Sequence, residues 1–221
     1  MNFIICDSKD WFSLDQELLE LNQVFLIKKK ENLTLTELKK VDPKYIFFVH
    51  WNWKVKEEIY KNFNCILFHT APLPYGRGGS PIQNLILKEY VSAPVCALKM
   101  VKELDAGPIY SKIEISLEGN LSKIFSRLNY AINKLIKKII NKKIKPKKQI
   151  GETLFFKRLN EKDNEIPSNI NIKRFYDHIR MLDHESYPNA YIKYGRFKIE
   201  FYNVNSEKEG LKVNCKITEC E

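Results

Sequence analysis

The sequence predicts an α/β protein: an open, mostly parallel sheet with helices on both faces, followed by a small mixed C-terminal module. Three observations carry this. Short apolar runs alternate with amphipathic stretches through the first half of the 221 residues, the order that builds parallel strands joined by crossover helices. Two runs, YIFFVHW (45–51) and CILFH (65–69), are apolar along nearly their whole length, as strands covered on both faces are. Around KPKKQIGE (145–152) the composition shifts, and the chain then ends in an alternating segment with a turn glycine.

The elements follow in order. NFIIC (2–6) is the first strand. A helix is predicted over Trp11–Leu21, with Leu14, Leu18, Leu19 and Leu21 toward one side. VFLIKK (24–29) is a strand. TLTELKKV (34–41) is a short helix with Thr34 as N-cap and Glu37 three residues on, the spacing of a capping box. The strand at 45–51, the helix KEEIYKNF (56–63) and the strand at 65–69 come next. Ser80 as N-cap and Pro81 as first helical residue open SPIQNLILKEYV (80–91). APVCALKMV (93–101) is a strand, and a turn at Asp105-Ala106-Gly107-Pro108 leads into another. A long helix spans 120–141. The expected division is a Rossmann-like catalytic domain over 1–150 and a module of helix and β-hairpin over 151–221. The helix of that module is NIKRFYDHIRML (171–182), and its hairpin turns at Gly195.

Composition sets the bounds. A chain of this length buries roughly 70% of its unfolded surface and needs no staple of disulfide or metal. The five cysteines lack metal-ligand spacing, and Cys6, Cys65 and Cys96 fall in apolar runs, as reduced core thiols of a cytoplasmic protein do. MNFIICDSKDWF has no basic leader, and no segment approaches the roughly 20 apolar residues of a membrane span. No membrane partner is expected. The net charge of +10 is uneven. KLIKKIINKKIKPKK (134–148) holds eight lysines, and its spacings give a predicted helix one apolar and one basic face until Pro146 stops it. That face is either solvated surface or a contact for an anionic partner, and charge alone does not choose. Nucleic acid is not expected, because no aromatic and arginine residues interleave there as in base-stacking surfaces.

In open parallel sheets the ligand sits beyond the carboxyl ends of the strands. His50–Trp53 and His69–Pro74 both fall at such ends. No GxGxxG follows the first strand, so a nicotinamide cofactor is not expected. YGRGGS (75–80) lacks the Lys-Ser/Thr of a phosphate loop. Ser80 lacks a nucleophile elbow and stands where a helix needs a cap. That leaves His69 and Asp105. A histidine with a carboxylate, and no activated Ser or Cys, points to acid–base work on a substrate that brings its own nucleophile.

FHTAPLPYGRGGSPIQNLI (68–86), followed by VCALKMVKELDAGPIY (95–110), resembles the formyltransferase superfamily that uses 10-formyltetrahydrofolate. The likeness is greatest over residues 45–112. It extends into FFKRLNEKDNEIP (155–167) and FYDHIRMLDHESYPNAYI (175–192), which look like the start of the family's second domain. The resemblance implies that an acceptor amine attacks the formyl carbon of the folate, with His69 as base and proton carrier and Asp105 orienting it. It implies 10-formyltetrahydrofolate as co-substrate and no metal. Trp51, Trp53 and Leu104 are expected along the folate. Arg77, Gly78, Gln83 and Thr70 are expected toward the acceptor. His178 and His184 receive no catalytic role.

One departure stands out: the family's Asn, two residues before the histidine, is Leu67 here. Asn52, in HWNW (50–53), is the expected replacement donor, with Thr70 as second candidate. The Arg-Gly-x-Ser-Pro-Ile run and the FFKRLNEKD continuation look more like the methionyl-tRNA and sugar N-formyltransferases than the glycinamide ribonucleotide enzymes, and the short second module favours the sugar branch. The implied acceptor is a nucleotide-linked amino deoxysugar of surface-glycan synthesis, including precursors of sialic-acid-like nonulosonic sugars. Methionyl-tRNA is the alternative acceptor. A non-catalytic folate or nucleotide-sugar binder and a formate-releasing hydrolase stay open, as does a homodimer through exposed strand edges.

Overall fold

The computed structural model describes residues 1–9 and 11–220. The strands and helices along the chain are β1 (Asn2–Asp7), α1 (Gln16–Leu21), β2 (Gln23–Ile27), α2 (Leu35–Val41), β3 (Tyr45–Val49), α3 (Glu57–Asn62) and β4 (Cys65–Thr70). They continue with β5 (Tyr75–Gly78), α4 (Pro81–Leu87), β6 (Ser92–Lys99), β7 (Ile109–Ser116), α5 (Leu121–Asn141) and β8 (Leu154–Phe156). The last are α6 (Ile172–Arg180), β9 (Ala190–Tyr194), β10 (Phe197–Glu207) and β11 (Gly210–Glu219). The chain forms two compact units, each drawn from three segments. The first is Met1–Arg77, Pro94–Ile115 and Arg127–Phe155; the second is Gly78–Ala93, Ser116–Ser126 and Phe156–Glu221.

The first unit is built on a six-stranded sheet of order β2-β1-β3-β4-β6-β7. β1 runs parallel to β2 and β3, and β3 runs parallel to β4. β6 is antiparallel to β4, with His69 opposite Cys96. The sheet is thus mostly parallel, as predicted. The apolar runs have the expected cause. On one face Ile4, Cys6, Ile46, Phe48 and Cys65 pack in a cluster with Leu38 of α2 and Ile59 of α3. The alternate residues of β1 and β3 are covered too: Phe3, Ile5 and Phe47 are buried, and the Phe3 and Phe47 rings meet edge to face at 5.7 Å. Burying each such side chain contributes about 1.5–3 kcal/mol.

One helix differs from expectation. The helix predicted from Trp11 begins only at Gln16. The segment before it is held by side chains of α5. Asn129 Oδ1 accepts from the Ser13 N–H at 2.9 Å, and Asn133 Oδ1 accepts from the Asp15 N–H at 2.8 Å. Asn133 Nδ2 donates to the Ser13 carbonyl at 2.9 Å. These amides satisfy backbone groups that a helical turn would otherwise have paired. The basic helix ends at Asn141, before Pro146. Beyond it the chain extends, and Lys147 exchanges both backbone hydrogen bonds with Ile109 of β7, at 2.7 and 2.9 Å. Thr34 caps α2 as predicted, accepting from the Glu37 N–H at 3.3 Å; the Glu37 carboxylate turns instead to Lys40.

The second unit carries α4, α6 and an antiparallel sheet of order β11-β10-β9. The predicted hairpin turns at Gly195, which takes φ +56°. β10 and β11 extend it well beyond the predicted segment. A register shift between Tyr202 and Asn205 is held by Asp183, whose carboxylate accepts the N–H groups of Asn203 and Val204. Arg180 is buried and engaged: its Nε pairs with Asp177 and its Nη1 donates to the carbonyls of Leu117 and Gly119. Ser80 precedes α4 in a left-handed conformation, and its hydroxyl accepts from the Leu159 N–H rather than capping the helix. Among the described residues, no helix is long and apolar enough to cross a membrane.

Cys6, Cys65 and Cys96 are buried, whereas Cys215 and Cys220 are exposed. Burial pushes the Cys65 and Cys96 thiols up to about 12, and Cys6 is raised by the same cause. A thiol reagent at pH 8 should therefore modify two cysteines quickly and the other three only as fast as the chain unfolds. Fast modification of more than two, in a mass-spectrometric time course, would contradict this core.

Candidate active site

β4 delivers His69 to the carboxyl end of the parallel strands, and the loop after it closes back on the ring. Gly76 takes φ +86°, a conformation glycine adopts without strain. Its carbonyl oxygen lies 2.7 Å from His69 Nε2. A carbonyl only accepts, so Nε2 carries a proton. The nitrogen left to take another is Nδ1, and it faces Asp105 Oδ2 at 3.6 Å. Both side chains are almost enclosed, His69 at 7% and Asp105 at 8% exposure. A proton arriving at Nδ1 would meet a carboxylate at a distance from which a charge-assisted hydrogen bond can close.

Asp105 is held by its backbone. It adopts φ +51° in the turn between β6 and β7, a left-handed conformation that Asp tolerates better than most residues. Two residues on, Gly107 passes so close to β6 that an added Cβ would lie 1.7 Å from the Lys99 carbonyl oxygen. On the other side Gln149 Nε2 donates to the carbonyls of Asp105 and Gly107 at 2.7 and 2.9 Å. Gln149 Oε1 accepts from Arg77 Nε and Nη2 at 3.1 and 2.7 Å. Arg77, predicted from its loop position, is thereby brought into this network. Gln149 was not predicted. It stands in the Lys-rich KPKKQIGE stretch, and nothing in that sequence distinguishes it.

The remaining predicted residues divide. Leu104 is 63% exposed beside Asp105, an apolar side chain available to a ligand ring. Trp51 and Leu67 both pack against the core cluster that includes Phe48. The Trp51 ring meets Phe48 at 5.9 Å and Trp53 at 4.8 Å, both edge to face. Its indole N–H is buried with no hydrogen-bond partner among the described residues. Trp53 is the outer ring, at 37% exposure. Asn52 is exposed in the loop after β3, at the same sheet edge as His69 because β3 and β4 are parallel. His50 takes φ +53°, and Trp11 Nε1 donates to its Nδ1 at 3.0 Å, so this ring is committed to structure.

Thr70 is buried. One residue past His69 on a strand, it projects to the opposite face, and so does not join the Nδ1 side of the histidine. Gly78 and Gln83 belong to the second unit. Gly78 takes φ +106°, and a Cβ there would lie 2.6 Å from the Phe156 carbonyl oxygen. Gln83 is buried and donates to the Met181 carbonyl at 3.4 Å; a role toward an acceptor would require it to exchange that partner. Among the described residues, no group of three or more His, Cys, Asp or Glu side chains is placed to hold a metal ion.

Known proteins match this chain along its length. The family described as "Methionyl-tRNA formyltransferase, C-terminal domain" matches residues 161–218. A solved structure of a methionyl-tRNA formyltransferase from Clostridium thermocellum is 36% identical, with a TM-score of 0.93 over 99% of both chains. The chain belongs to the formyltransferase superfamily. The curated methionyl-tRNA formyltransferase of Francisella tularensis subsp. holarctica is 27% identical over 200 residues. That match takes in 84% of this chain and 63% of the relative, so the chain spans less than two thirds of the length of such relatives. A sugar N-formyltransferase from Shewanella sp. shares the fold, at 14% identity and a TM-score of 0.64, over 100% of this chain and 98% of that one.

In this formyltransferase-superfamily chain, the Leu67 departure has a packing context. Cys65, Leu67 and His69 share one face of β4 by alternation, and Leu67, like Trp51 and Met100, packs there against the apolar cluster that includes Phe48. The close approach of the Asp105 loop to β6 gives a direct test of the site's geometry. Gly107→Ala must displace either the loop or Lys99, at a cost of about 1–3 kcal/mol. A urea midpoint unchanged from the parent would contradict this contact.

Proposed function

We propose that the chain catalyses transfer of a formyl group from 10-formyltetrahydrofolate to a primary amine. The observation that carries this reading is the enclosed His69–Asp105 pair with Nδ1 turned to the carboxylate. The reaction suits such a pair. The acceptor amine attacks the formyl carbon, and a C–N bond forms as a tetrahedral oxyanion. The amine must lose a proton. His69 takes it at Nδ1 while Asp105 balances the imidazolium charge. The bond from carbon to folate N10 then breaks, and the same proton passes to N10, so the histidine ends as it began. Leu104, Trp53 and the Trp51 ring edge would lie along the folate. Arg77 would face the acceptor or its phosphate.

The acceptor we favour is the amine of a nucleotide-linked amino deoxysugar, including precursors of nonulosonic sugars. The full-length fold likeness to a sugar N-formyltransferase supports it. Methionyl-tRNA is the second reading, favoured by the 36% identity to a protein of that name and by the family match over 161–218. The test is tetrahydrofolate release with each amine offered separately and with buffer alone. Release only with an amino sugar supports the first reading, and release only with methionyl-tRNA supports the second. Release in buffer alone would make the chain a hydrolase. Folate binding, seen as thermal stabilisation, without any release would make it a binding protein.

Within this reading His69→Asn and Asp105→Asn should each lower turnover at least about 10²-fold while folate binding persists. Parental turnover in either variant would remove the acid–base assignment. Because Leu67 cannot donate to the oxyanion, we place that donor at Asn52. Asn52→Ala should then cost about 10²-fold in kcat, near 3 kcal/mol. An unchanged kcat would reassign the donor.

A further inference from the structure

We infer that Gln149 is the positioning residue of the His69–Asp105 pair. This rests on the acid–base reading of that pair. An Arg guanidinium only donates and a backbone carbonyl only accepts. Gln149 stands between the two kinds, with Arg77 Nε and Nη2 at its oxygen and the carbonyls of Asp105 and Gly107 at its nitrogen. The orientation of the amide is therefore fixed by its neighbours, and only an uncharged side chain with one acceptor end and one donor end satisfies all four contacts. Lys would repel Arg77, and Glu would present a carboxylate oxygen to two carbonyl oxygens.

What the amide holds is a strained element. Asp105 adopts a left-handed conformation. Two hydrogen bonds from the Gln149 amide support the turn that imposes it. One of them falls on the carbonyl of Asp105 itself, at 2.7 Å. Gly107, wedged against Lys99, blocks retreat of the turn toward β6. Gln149 ties the turn by two of its carbonyls. Releasing it moves the Asp105 carboxylate relative to Nδ1, where the present separation of 3.6 Å leaves no slack for a longer one. A displacement on the order of 1 Å in such a pair costs about 10²-fold in rate. Gln149 touches neither reacting group in this arrangement; it acts through Asp105.

The test uses the full chain and two variants, Gln149→Ala and Gln149→Glu, each checked for an intact fold by circular dichroism. The first readout is independent of activity: the nitrogen-15 spectrum of the His69 ring, assigned with His69→Asn. Both variants should shift the Nδ1 signal in the direction that Asp105→Asn shifts it. Gln149→Glu keeps the size of the side chain and its contact with Arg77, so a shift there cannot come from a lost cavity filling. A His69 signal unmoved in both folded variants would overturn the inference, even if the chain proved to be no transferase.

The second readout is kinetic. Gln149→Ala should lower kcat about 10–100-fold with KM for the formyl donor nearly unchanged. In the Asp105→Asn background the same substitution should cost less than about threefold, because the group it positions is already gone. An equal loss in both backgrounds would mean a general structural role and would overturn the inference. Absence of turnover in the parent protein would count against the transferase reading alone, since the spectrum still decides on Gln149.

Discussion

The site depends on one backbone constraint: the turn that carries Asp105 is held in a left-handed conformation against β6. Gly107 allows the approach to Lys99, and the Gln149 amide ties two carbonyls of the turn. With the turn in place, the carboxylate lies opposite Nδ1 of His69. The Gly76 carbonyl completes the arrangement from the other side by engaging Nε2. A histidine whose two nitrogens see a carbonyl and a carboxylate can hold a proton at one and exchange it at the other. That division follows from the hydrogen-bond chemistry of the neighbours and from the geometry of two loops.

The sheet explains the position of His69 and leaves that of the Asp105 turn to its loop. β4 is parallel to β3 and antiparallel to β6. His69 near the end of β4 lies opposite Cys96, whereas Lys99, the last residue of β6, lies opposite Ile66, so the turn that carries Asp105 has to fold back toward His69. The Pro/Gly-rich stretch after His69 then returns the chain to the ring within seven residues, through Gly76. The glycines there serve backbone placement: Gly76 aims its carbonyl at His69, and Gly78 lies against Phe156.

Much of this was legible in the residues. The alternation of apolar runs and amphipathic segments marks the sheet, and its continuous runs mark strands covered on both faces. His69 ends an apolar run where a parallel sheet places its ligands, and the structure joins it to Asp105, and the Asp105 turn to Arg77 through Gln149. What was not legible has a common cause, namely tertiary partners that leave no local pattern. The segment from Trp11 to Asp15 has helical spacing, yet Asn129 and Asn133 take its backbone groups. Thr70 looked available beside His69 until strand alternation turned it to the other face. Ser80 sits at a cap position, but its hydroxyl is taken by the Leu159 N–H. Gln149 is a lone amide in a run of lysines, and its importance lies wholly in what approaches it from Arg77 and from the Asp105 turn.

The account's central claim is that an amine, activated at His69, receives the formyl carbon. The most direct measurement follows an isotopic label on that carbon from 10-formyltetrahydrofolate, in the presence of the candidate amines, by mass spectrometry of all products. The account predicts that the label appears as a single formyl group on one amine and that His69→Asn abolishes its arrival there. Label recovered as free formate, at a rate indifferent to the amine supplied, would contradict it.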